Sequence, residues 1–448
     1  MRQDLLLRSD KARALYRGVA DLPLIDWHNH LSVADLRSDR KFRTITELWV
    51  ASDPYKHRAM RICGVPERDI TGGASDFDKF AAWWRTIPLL AGNPLYFWSV
   101  MELEKVFGIA DALGSGDARK MYDLLNGKLA GDGFSARAIL KKFNVEYAAP
   151  CAGLADDLSQ FDGLPGIVPS FRGDDVLKLN FPADCGAATL AELRTYLAGR
   201  VEELHEHGCR FADHALDEDF VYICDDGGND ARFAAWRRGE LVPGFESDWL
   251  CLQSEILRML AGEYARRGWV LQLHIGALRR TSDRLRAAAG PTGGYASFAG
   301  ACDMETLVTL LNDLEKSAAG MPRVILYTLD PVNHAAFANL SGSFTGDGVR
   351  GQVRLGPAWW YCDHRSGIRD CLAKTAAFGV LSVFPGMTTD SRSLLSFVRH
   401  DYYRRVMCDF LAEQAAADEL PRDMAILSEL ATKLAYGNAK EMIQEVTR

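Results

Sequence analysis

The stretch LPLIDWHNH, residues 22–30, decides how the rest of the chain is interpreted. It is a short apolar run that ends in polar residues and carries two histidines two positions apart, His28 and His30. Residues i and i+2 of a β-strand share one face. We therefore predict a strand over 22–28 whose carboxyl end directs both imidazoles to the same side, where two nitrogen donors can bind a divalent metal ion.

Seven further apolar runs resemble this first one. They cover residues 145–149, 167–171, 210–216, 269–276, 324–330, 353–359 and 380–387. Several are separated by amphipathic helical patterns, such as those at 191–207 and 304–316, which is typical of parallel strands covered on both faces. Eight such units predict an α/β protein with the fold of a TIM (β/α)8 barrel, whose active site lies at the carboxyl ends of the strands. A doubly wound open sheet is the alternative.

The chain is longer than a bare barrel requires, and the surplus is concentrated between the first two predicted strands. Residues 32–140 are too many for a loop and are mostly helical in pattern. We predict that they form a helical insertion over the barrel mouth, and that residues 1–31 and 141–448 form the barrel with its C-terminal helices. A second long connection, at about 217–250, is also expected to lie above the barrel.

Composition excludes several kinds of partner. The formal net charge is -8, so an overall basic face for nucleic acid is absent. No apolar run approaches the roughly 18 residues of a membrane-spanning helix, and the N-terminus does not have the pattern of a signal peptide. The ten cysteines include no C-x-x-C pair and are interpreted as reduced thiols. We expect a soluble cytoplasmic protein with a small-molecule ligand, and a homo-oligomer is compatible with these features.

Three more residues could complete a metal site with the first pair of histidines. His274 lies near the end of the fifth run, Asp390 follows the eighth, and Asp213 belongs to the fourth. A lone strand histidine is more often a core residue, and a loop aspartate more often forms a turn. Barrel closure would nevertheless bring all three to the mouth that holds His28. The donors are nitrogen and oxygen without a thiolate, which favours zinc, manganese or a similar ion, and zinc is the ion we expect.

Three arginines follow predicted strands and could bind an anion. Arg172, Arg279 and Arg392 come after the third, fifth and eighth runs. Arginine binds carboxylates through two hydrogen bonds and stays charged, so their shared position predicts one acidic ligand. Trp359 and Trp360 end the seventh run, and strand alternation predicts that only one of them reaches the mouth.

Longer segments of the chain resemble the uronate isomerases. They include DWHNHLS at 26–32, TELWVASDPYKHRAMRICGV at 46–65, LQLHIGALR at 271–279, GPAWWYCD at 356–363 and GMTTDSRSLLSFVRHDYYRR at 386–405. The resemblance covers most of the chain. It implies a barrel of the metal-dependent hydrolase type, from the amidohydrolase superfamily. It also implies interconversion of D-glucuronate with D-fructuronate and of D-galacturonate with D-tagaturonate.

The resemblance also implies roles for individual residues, which complete the predicted site. The predicted metal ligands are His28, His30, Asp390 and His274. The residues predicted to contact the uronate are Tyr55, Arg172, Asp213, Arg279, Trp360 and Arg392. The predicted catalytic residues are Asp390, Tyr55 and Arg392, and the sequence does not decide whether Tyr55 or Asp390 moves the proton.

The chain departs from the family pattern at three places. Pro54 stands where the family usually has a histidine, and AAPCAG at 148–153 replaces a TTDDP-like end of the second strand. After Arg279, the usual asparagines are replaced by residues 280–282, Arg-Thr-Ser. Two other functions therefore stay open at this point. One is metal-assisted hydrolysis, and the other is sugar-acid binding without catalysis.

Overall fold

A computed structural model describes residues 4–110, 116–216, 220–244 and 246–444. In this part of the chain, a parallel sheet of seven strands has the order β1-β2-β3-β4-β5-β8-β9, and β6 pairs with β7 in a small antiparallel hairpin. The strands are β1 (Leu24–Asn29), β2 (Val145–Ala152), β3 (Ser170–Arg172), β4 (Phe211–Leu216), β5 (Val270–Ile275), β6 (Ala277–Leu278), β7 (Ser297–Phe298), β8 (Arg323–Thr328) and β9 (Val353–Leu355). All seven strands of the main sheet therefore end at the same edge.

Helices surround the sheet. They are α1 (Asp10–Val19), α2 (Val33–Arg37), α3 (Ile45–Trp49), α4 (Pro54–Ile62), α5 (Asp76–Thr86), α6 (Pro94–Phe107), α7 (Ala118–Leu129), α8 (Ala136–Lys142), α9 (Asp174–Leu177), α10 (Leu190–Glu206), α11 (Asn229–Arg237), α12 (Ser247–Arg266), α13 (Asp283–Ala289), α14 (Met304–Lys316), α15 (His334–Ser343), α16 (Arg365–Phe378), α17 (Val398–Ala416), α18 (Met424–Thr432) and α19 (Asn438–Gln444). Short 3₁₀ segments lie at Glu67–Asp69, Ile87–Leu90, Leu158–Phe161, Ala183–Cys185, Pro331–Asn333, Leu381–Val383 and Leu394–Phe397, and a π-helical turn lies at Lys433–Gly437. None of the described helices has the length and apolar character needed to cross a membrane.

The burial of the strands explains why their apolar runs could be recognised in the sequence. Every residue of β1 and of β5 is buried, as expected for parallel strands with helices on both faces. β4, β5 and β8 pair without a register shift, so that Asp213 lies opposite Gln272 and His274 lies opposite Tyr327. This register holds the polar residues near the strand ends at fixed positions along one edge.

The α/β class and seven of the eight predicted strands are confirmed, but the eighth strand is wrong. Residues 380–387 contain a 3₁₀ turn at Leu381–Val383 and no strand. Pro385 cannot donate a backbone hydrogen bond, and Gly386 has a φ of 106°, so this run cannot join a sheet ladder. The side-chain amide of Asn438 instead donates to the carbonyl of Phe384.

Two long connections, at 32–140 and at about 217–250, were predicted to lie above the barrel mouth, and both are partly described by the structure. The seven helices α2 to α8 lie in the described residues between β1 and β2, which agrees with the predicted helical segment at 32–140. Residues 111–115 of this segment lie outside the described part of the chain. In the connection at 217–250, α11 and the start of α12 are described, and residues 217–219 and 245 are not. The division into a barrel and an insertion stays a prediction.

One helix of this segment is important for the site because of how it begins. The side chain of Asp53 accepts hydrogen bonds from the backbone nitrogens of Tyr55 and Lys56, and Pro54 occupies the first helical turn of α4. Proline suits that position because its missing N–H would have no partner there. The cap therefore fixes where Tyr55 emerges from the helix.

Candidate metal centre and cavity

Two histidines and one aspartate meet where β1 ends. His28 Nε2 and His30 Nε2 lie 3.1 Å and 2.9 Å from the same oxygen, Oδ1 of Asp390. The backbone joins the same partners, since Asp390 N donates to the carbonyl of His28 over 3.0 Å and His30 N donates to that of Ser391 over 2.9 Å. The segment that carries Asp390 thus lies directly against β1, although it is not a strand.

Three more donors lie on the other side of His28. Its Nδ1 is 3.8 Å from Oδ1 of Asp213 and 3.6 Å from Sγ of Cys151, and the His28 and His274 ring centroids are 4.7 Å apart. Two groups of possible metal ligands result, each with its donor atoms within 4.8 Å of one another. They are His28 with His30 and Cys151, and His28 with Asp213 and His274.

Asp390 is held in an unusual backbone conformation by several contacts. Its φ is 48°, a region that non-glycine residues seldom adopt and that clusters at functional sites. Its Oδ2 accepts hydrogen bonds from the indole nitrogens of both Trp359, at 2.6 Å, and Trp360. The prediction that only one of the two tryptophans reaches the mouth is therefore wrong. β9 ends at Leu355, so strand alternation no longer applies at these positions.

Burial and neighbouring charges change the ionisation of the cluster. Burial alone would lower the pKa of His28, but Cys151, Asp213 and Asp390 together raise it well above its ordinary value. Burial would raise the pKa of Asp390, and the hydrogen bonds from His28 and His30 instead hold it well below the usual range. Burial raises the pKa of Asp213 to about 8. The histidines and the carboxylate are thus strongly coupled to one another.

The three predicted arginines all line the cavity beside this cluster, and they differ in their partners. Arg172 is bound by Asp174, with Nη2 2.6 Å from Oδ2, and by Asp213, with Nη1 3.3 Å from Oδ2. The Arg279 guanidinium carbon lies 5.4 Å from the ring centroid of Trp360. Among the residues that the structure describes, no carboxylate forms an ion pair with Arg392, and burial lowers its pKa.

Tyr55 reaches the cavity from α4, as the resemblance implied. Its hydroxyl donates to Oδ2 of Asp363 over 3.1 Å, and the guanidinium of Arg399 lies 4.5 Å from its ring centroid. Nη1 of Arg399 also donates to Asp363 over 3.3 Å. Burial is the main cause that raises the pKa of Tyr55 well above 10, and the charge of Asp363 is the second. Burial also raises the pKa of Asp363, to about 6. Tyr55 is therefore a neutral phenol.

The cavity has about 700 Å³ of space between its lining atoms, part of which is open to solvent. Part of its wall is the loop at 291–296, which is fastened to α4. Arg58 donates to the carbonyl of Ala296 over 3.1 Å, and Arg61 donates to that of Gly293. Gly294 has a φ of +80°, and a Cβ there would lie 2.2 Å from the carbonyl oxygen of Pro54. Pro54 thus contributes its backbone to the wall where the family usually has a histidine.

The structure brings all the predicted site residues into this region and adds four more: the second tryptophan of the pair at 359–360 and three residues to which the sequence assigned no role. The predicted residues are His28, His30, Tyr55, Arg172, Asp213, His274, Arg279, Trp360, Asp390 and Arg392. The additional residues are Cys151, Trp359, Asp363 and Arg399. All four lie in stretches that the sequence singles out: Cys151 lies in AAPCAG at 148–153, Trp359 and Asp363 lie in GPAWWYCD at 356–363, and Arg399 lies in the stretch at 386–405.

The donor set fits a divalent metal ion. Nε2 of His274 is buried and has no hydrogen-bond partner within the described residues, which is costly unless a ligand binds there. Imidazole and carboxylate donors at short range are those that zinc and similar ions take. The fold and this cluster define a class of protein: an α/β protein with a polyhistidine–aspartate centre at the carboxyl ends of its parallel strands.

Comparison with known proteins narrows the class to one family. The sequence profile of the family described as glucuronate isomerase matches residues 1–443. The uronate isomerase of Geobacillus thermodenitrificans is 38% identical over 456 residues, which cover 97% of this chain and 97% of that protein. The crystal structure of the uronate isomerase from Thermotoga maritima has a TM-score of 0.90 at 27% identity and covers 99% of both chains. That of the glucuronate isomerase from Caulobacter crescentus also has a TM-score of 0.90, at 23% identity over 99% of this chain and 97% of that one, and supports the fold.

The chain belongs to the glucuronate isomerase family. The family assignment from the sequence is confirmed, and with it the expectation that the protein is an isomerase.

Proposed function

We propose that this protein interconverts the aldose and ketose forms of a hexuronate, with D-glucuronate and D-galacturonate as its substrates. The observation that carries the proposal is the position of Arg392. Its guanidinium lines the same cavity as His30 and Asp390, and no carboxylate of the described residues is paired with it. A substrate carboxylate would supply that partner through two charge-assisted hydrogen bonds.

The other two arginines have supporting roles in this proposal. Arg172 already binds Asp174 and Asp213, so it would contact neutral sugar oxygens rather than a second full charge. Arg279 lies over Trp360, and together they would form one side of the pocket against the sugar ring. The substrate would thus be oriented with its carboxylate at Arg392 and its reacting carbons towards Asp390.

A divalent metal ion, which we take to be zinc, would be held by His28, His30, Asp390 and His274. When bound, such an ion supplies positive charge that polarises nearby substrate oxygens and stabilises the negative charge of an enediol intermediate. The arrangement of the chain's own donors supports the choice of these ligands. His28 and His30 share one oxygen of Asp390, and His274 offers a buried nitrogen without a partner.

Isomerisation requires that a proton leave C2 and that a proton arrive at C1. The carboxylate of Asp390 would accept the C2 proton, exchange it in part with solvent, and deliver a proton to C1, as a glutamate does in triosephosphate isomerase. Tyr55 is a neutral phenol because burial raises its pKa, so its hydroxyl carries a proton and cannot itself be the base that starts the reaction. It would donate its proton to the carbonyl oxygen at C1 and recover one from the hydroxyl at C2, which balances the transfer.

We also propose that the main sheet closes into a TIM barrel of the metal-dependent hydrolase type. The segment around Asp390 takes the position next to β1 that an eighth strand would occupy, and two backbone hydrogen bonds support this. In this arrangement, residues 1–31 and 141–448 form the barrel, and the helical segment at 32–140 covers its mouth and supplies Tyr55. A location in the cytoplasm stays a prediction from the sequence.

The proposal is tested by assaying the zinc-loaded protein against two uronates and against D-glucose, which differs from D-glucuronate only in the carboxylate. D-Glucuronate and D-galacturonate should be converted to ketoses, whereas D-glucose, which lacks the carboxylate, should not. Arg392→Met should lower kcat/KM for the uronates by about two orders of magnitude or more, because a charge-assisted pair in a closed site is lost. Metal content should be unchanged.

Two outcomes would contradict this reading and point to its alternatives. Hydrolysis of a uronate amide or ester without ketose formation would support a metal-dependent hydrolase. Uronate binding without any turnover would support a sugar-acid-binding protein. Unchanged uronate kinetics in Arg392→Met, with the metal retained, would remove the role assigned to Arg392.

A further inference from the structure

We infer that Asp26 is a positioning residue for the metal ligand Asp390, and that it acts by holding the segment before Asp390 against β1. The inference rests on the metal centre of the proposed function and extends it to a residue behind the site. Asp26 belongs to β1, two positions before His28, is fully buried and does not line the cavity. Any effect of Asp26 on the reaction must therefore pass through the residues that it binds.

The carboxylate of Asp26 binds both threonines that precede Asp390. Thr389 contacts both of its oxygens, since the backbone nitrogen donates to Oδ1 over 2.6 Å and the hydroxyl donates to Oδ2 over 2.7 Å. The hydroxyl oxygen of Thr388 lies 2.7 Å from Oδ1. A single side chain of β1 thus fixes two consecutive residues of the segment that carries the metal ligand.

Two further contacts complete the surroundings of this carboxylate. Nδ2 of Asn29 donates to Oδ2 over 3.2 Å, and Nε2 of His400 lies 3.3 Å from Oδ1. A buried carboxylate is costly unless hydrogen bonds satisfy it, and here each oxygen of Asp26 has at least two partners. The carboxylate is therefore fixed in place itself and can serve as an anchor.

The backbone at Asp390 departs from the pattern of a parallel strand by one residue. In a regular parallel pair, the residue that donates to one carbonyl also accepts from the N–H two positions further along the neighbouring strand. Asp390 N donates to the carbonyl of His28 over 3.0 Å. The N–H of His30, however, is bound by the carbonyl of Ser391 over 2.9 Å. Asp390 is thus an extra residue, as in a β-bulge, and its side chain faces both histidines.

This extra position depends on the anchor before it. Asp390 has a φ of 48°, and such a conformation persists only where the surrounding structure holds it. The N–H of Thr389, the preceding residue, is bound by the side chain of Asp26, which takes the place of a backbone partner in a sheet. Without that carboxylate, the segment can relax and move Oδ1 of Asp390 away from the two imidazoles. Residues that orient metal ligands in this way typically change metal affinity by 10- to 100-fold.

The test measures the Kd for zinc of the full chain, freed of metal, by competition with a chromophoric chelator. Asp26→Asn keeps the size of the side chain but turns an NH₂ group towards a donor, because Oδ1 faces the N–H of Thr389 and Oδ2 faces the amide of Asn29. The Kd should rise about 10- to 100-fold.

Asp409→Asn is the matched control. Asp409 is also a buried carboxylate, but its partners are Arg8 and Arg365 rather than the segment at 388–391. Asp409→Asn should leave the Kd for zinc unchanged, even if it lowers the melting temperature of the metal-free protein. A residue that only stabilises the fold would behave like this control.

A double-variant cycle shows whether the effect passes through Asp390. In the Asp390→Ala background, Asp26→Asn should weaken the remaining zinc binding little further. The visible absorption of bound Co²⁺, which depends on ligand geometry, should change in Asp26→Asn and not in Asp409→Asn. If circular dichroism shows that Asp26→Asn is unfolded, Thr389→Val replaces it. The Kd should then rise about fivefold, because one hydrogen bond to Asp26 is lost, and Thr389→Ser should preserve it.

The outcomes separate this inference from the proposed function. An unchanged Kd for zinc in the folded variant, or a full further loss in the Asp390→Ala background, would overturn the positioning role of Asp26 and leave the metal centre in place. Failure of the unmodified chain to bind zinc at all would overturn both.

Discussion

The hydroxyl of Tyr55 donates a hydrogen bond to Oδ2 of Asp363 over 3.1 Å, although the two residues are 308 positions apart in the chain. Tyr55 belongs to α4, in the helical segment between β1 and β2, and Asp363 lies in the loop after β9. This single contact fastens the helical segment to the sheet at the cavity wall. It also determines where the phenol hydroxyl lies relative to Asp390.

Asp363 should control the acid side of the pH profile through this contact. Its pKa is raised to about 6, mainly by burial, and the charged groups around it are Arg399 and Asp390. Above pH 6 the carboxylate accepts the hydrogen bonds of Tyr55 and Arg399, and below it the carboxyl is neutral and holds both less well. The kcat of the metal-loaded protein should therefore fall as the pH drops through about 6, measured with D-glucuronate.

Asp363→Asn should remove this limb of the profile and lower kcat by about 10- to 100-fold at pH 8, because the phenol is misplaced. Tyr55→Phe provides the matched control. If Asp363 acts through Tyr55, then Asp363→Asn in the Tyr55→Phe background should cause little further loss. Additive losses in the double variant would show that Asp363 acts by another route.

Gly294 should tolerate no side chain, because its Cβ would lie 2.2 Å from the carbonyl oxygen of Pro54. Gly290 is the matched control, since its φ of +73° is close to the +80° of Gly294 but nothing lies within 4 Å of its Cβ. Gly294→Ala should destabilise the protein by about 1–3 kcal/mol more than Gly290→Ala, as overpacking does. It should also lower kcat/KM, since Pro54 adjoins Tyr55. Equal effects of the two substitutions, in urea unfolding and in kinetics, would argue against the contact.

Lys56 neutralises two buried carboxylates beneath the helix that carries Tyr55. Its Nζ lies 2.6 Å from Oδ2 of Asp53 and 3.4 Å from Oε1 of Glu102, and all three side chains are at most 3% exposed. Lys56→Ala should destabilise the protein by about 3–5 kcal/mol, because both charges are left buried without a partner. Arg422→Ala breaks an exposed pair with Asp418 and should cost at most about 1 kcal/mol. Similar denaturation midpoints for the two variants would contradict this.

Removal of the metal should lower the melting temperature, and His30 should be required for the effect. An ion that binds only the folded state, at 100 times its Kd, stabilises it by about 2.7 kcal/mol. His30→Ala should abolish the difference in melting temperature between chelated and zinc-loaded protein. His207→Ala should preserve it, because that residue belongs to a second H-x-H pair that lies at the end of α10. If zinc still raises the melting temperature of His30→Ala, the ion does not bind at His30.

The strands that the sequence predicted correctly are buried over most of their length, and apolar residues make up much of each run. β1 and β5 are buried along their whole length, so their pattern needs no tertiary information. The eighth run has the same apolar character, but Pro385 and the positive φ of Gly386 remove it from the sheet. Apolar character alone does not distinguish a strand from a buried irregular segment.

The site residues that could be predicted from the sequence are those that lie close together in the chain or in a motif of the family. His28 and His30 stand out because they share a strand face, and Asp390 stands out through its motif. Cys151 does not, because a lone cysteine behaves as a small apolar residue until strand pairing places it beside a histidine. Asp363 has no local signal either, since its partner Tyr55 is distant in the chain.

The most direct test of the account is proton NMR of D-glucuronate with the zinc-loaded protein in heavy water. Proton transfer by Asp390 and Tyr55 predicts that ketose signals appear and that deuterium from the solvent enters at C2 of the remaining aldose. D-Galacturonate should behave in the same way. An unchanged spectrum with both uronates, from folded protein that retains its metal, would contradict the account.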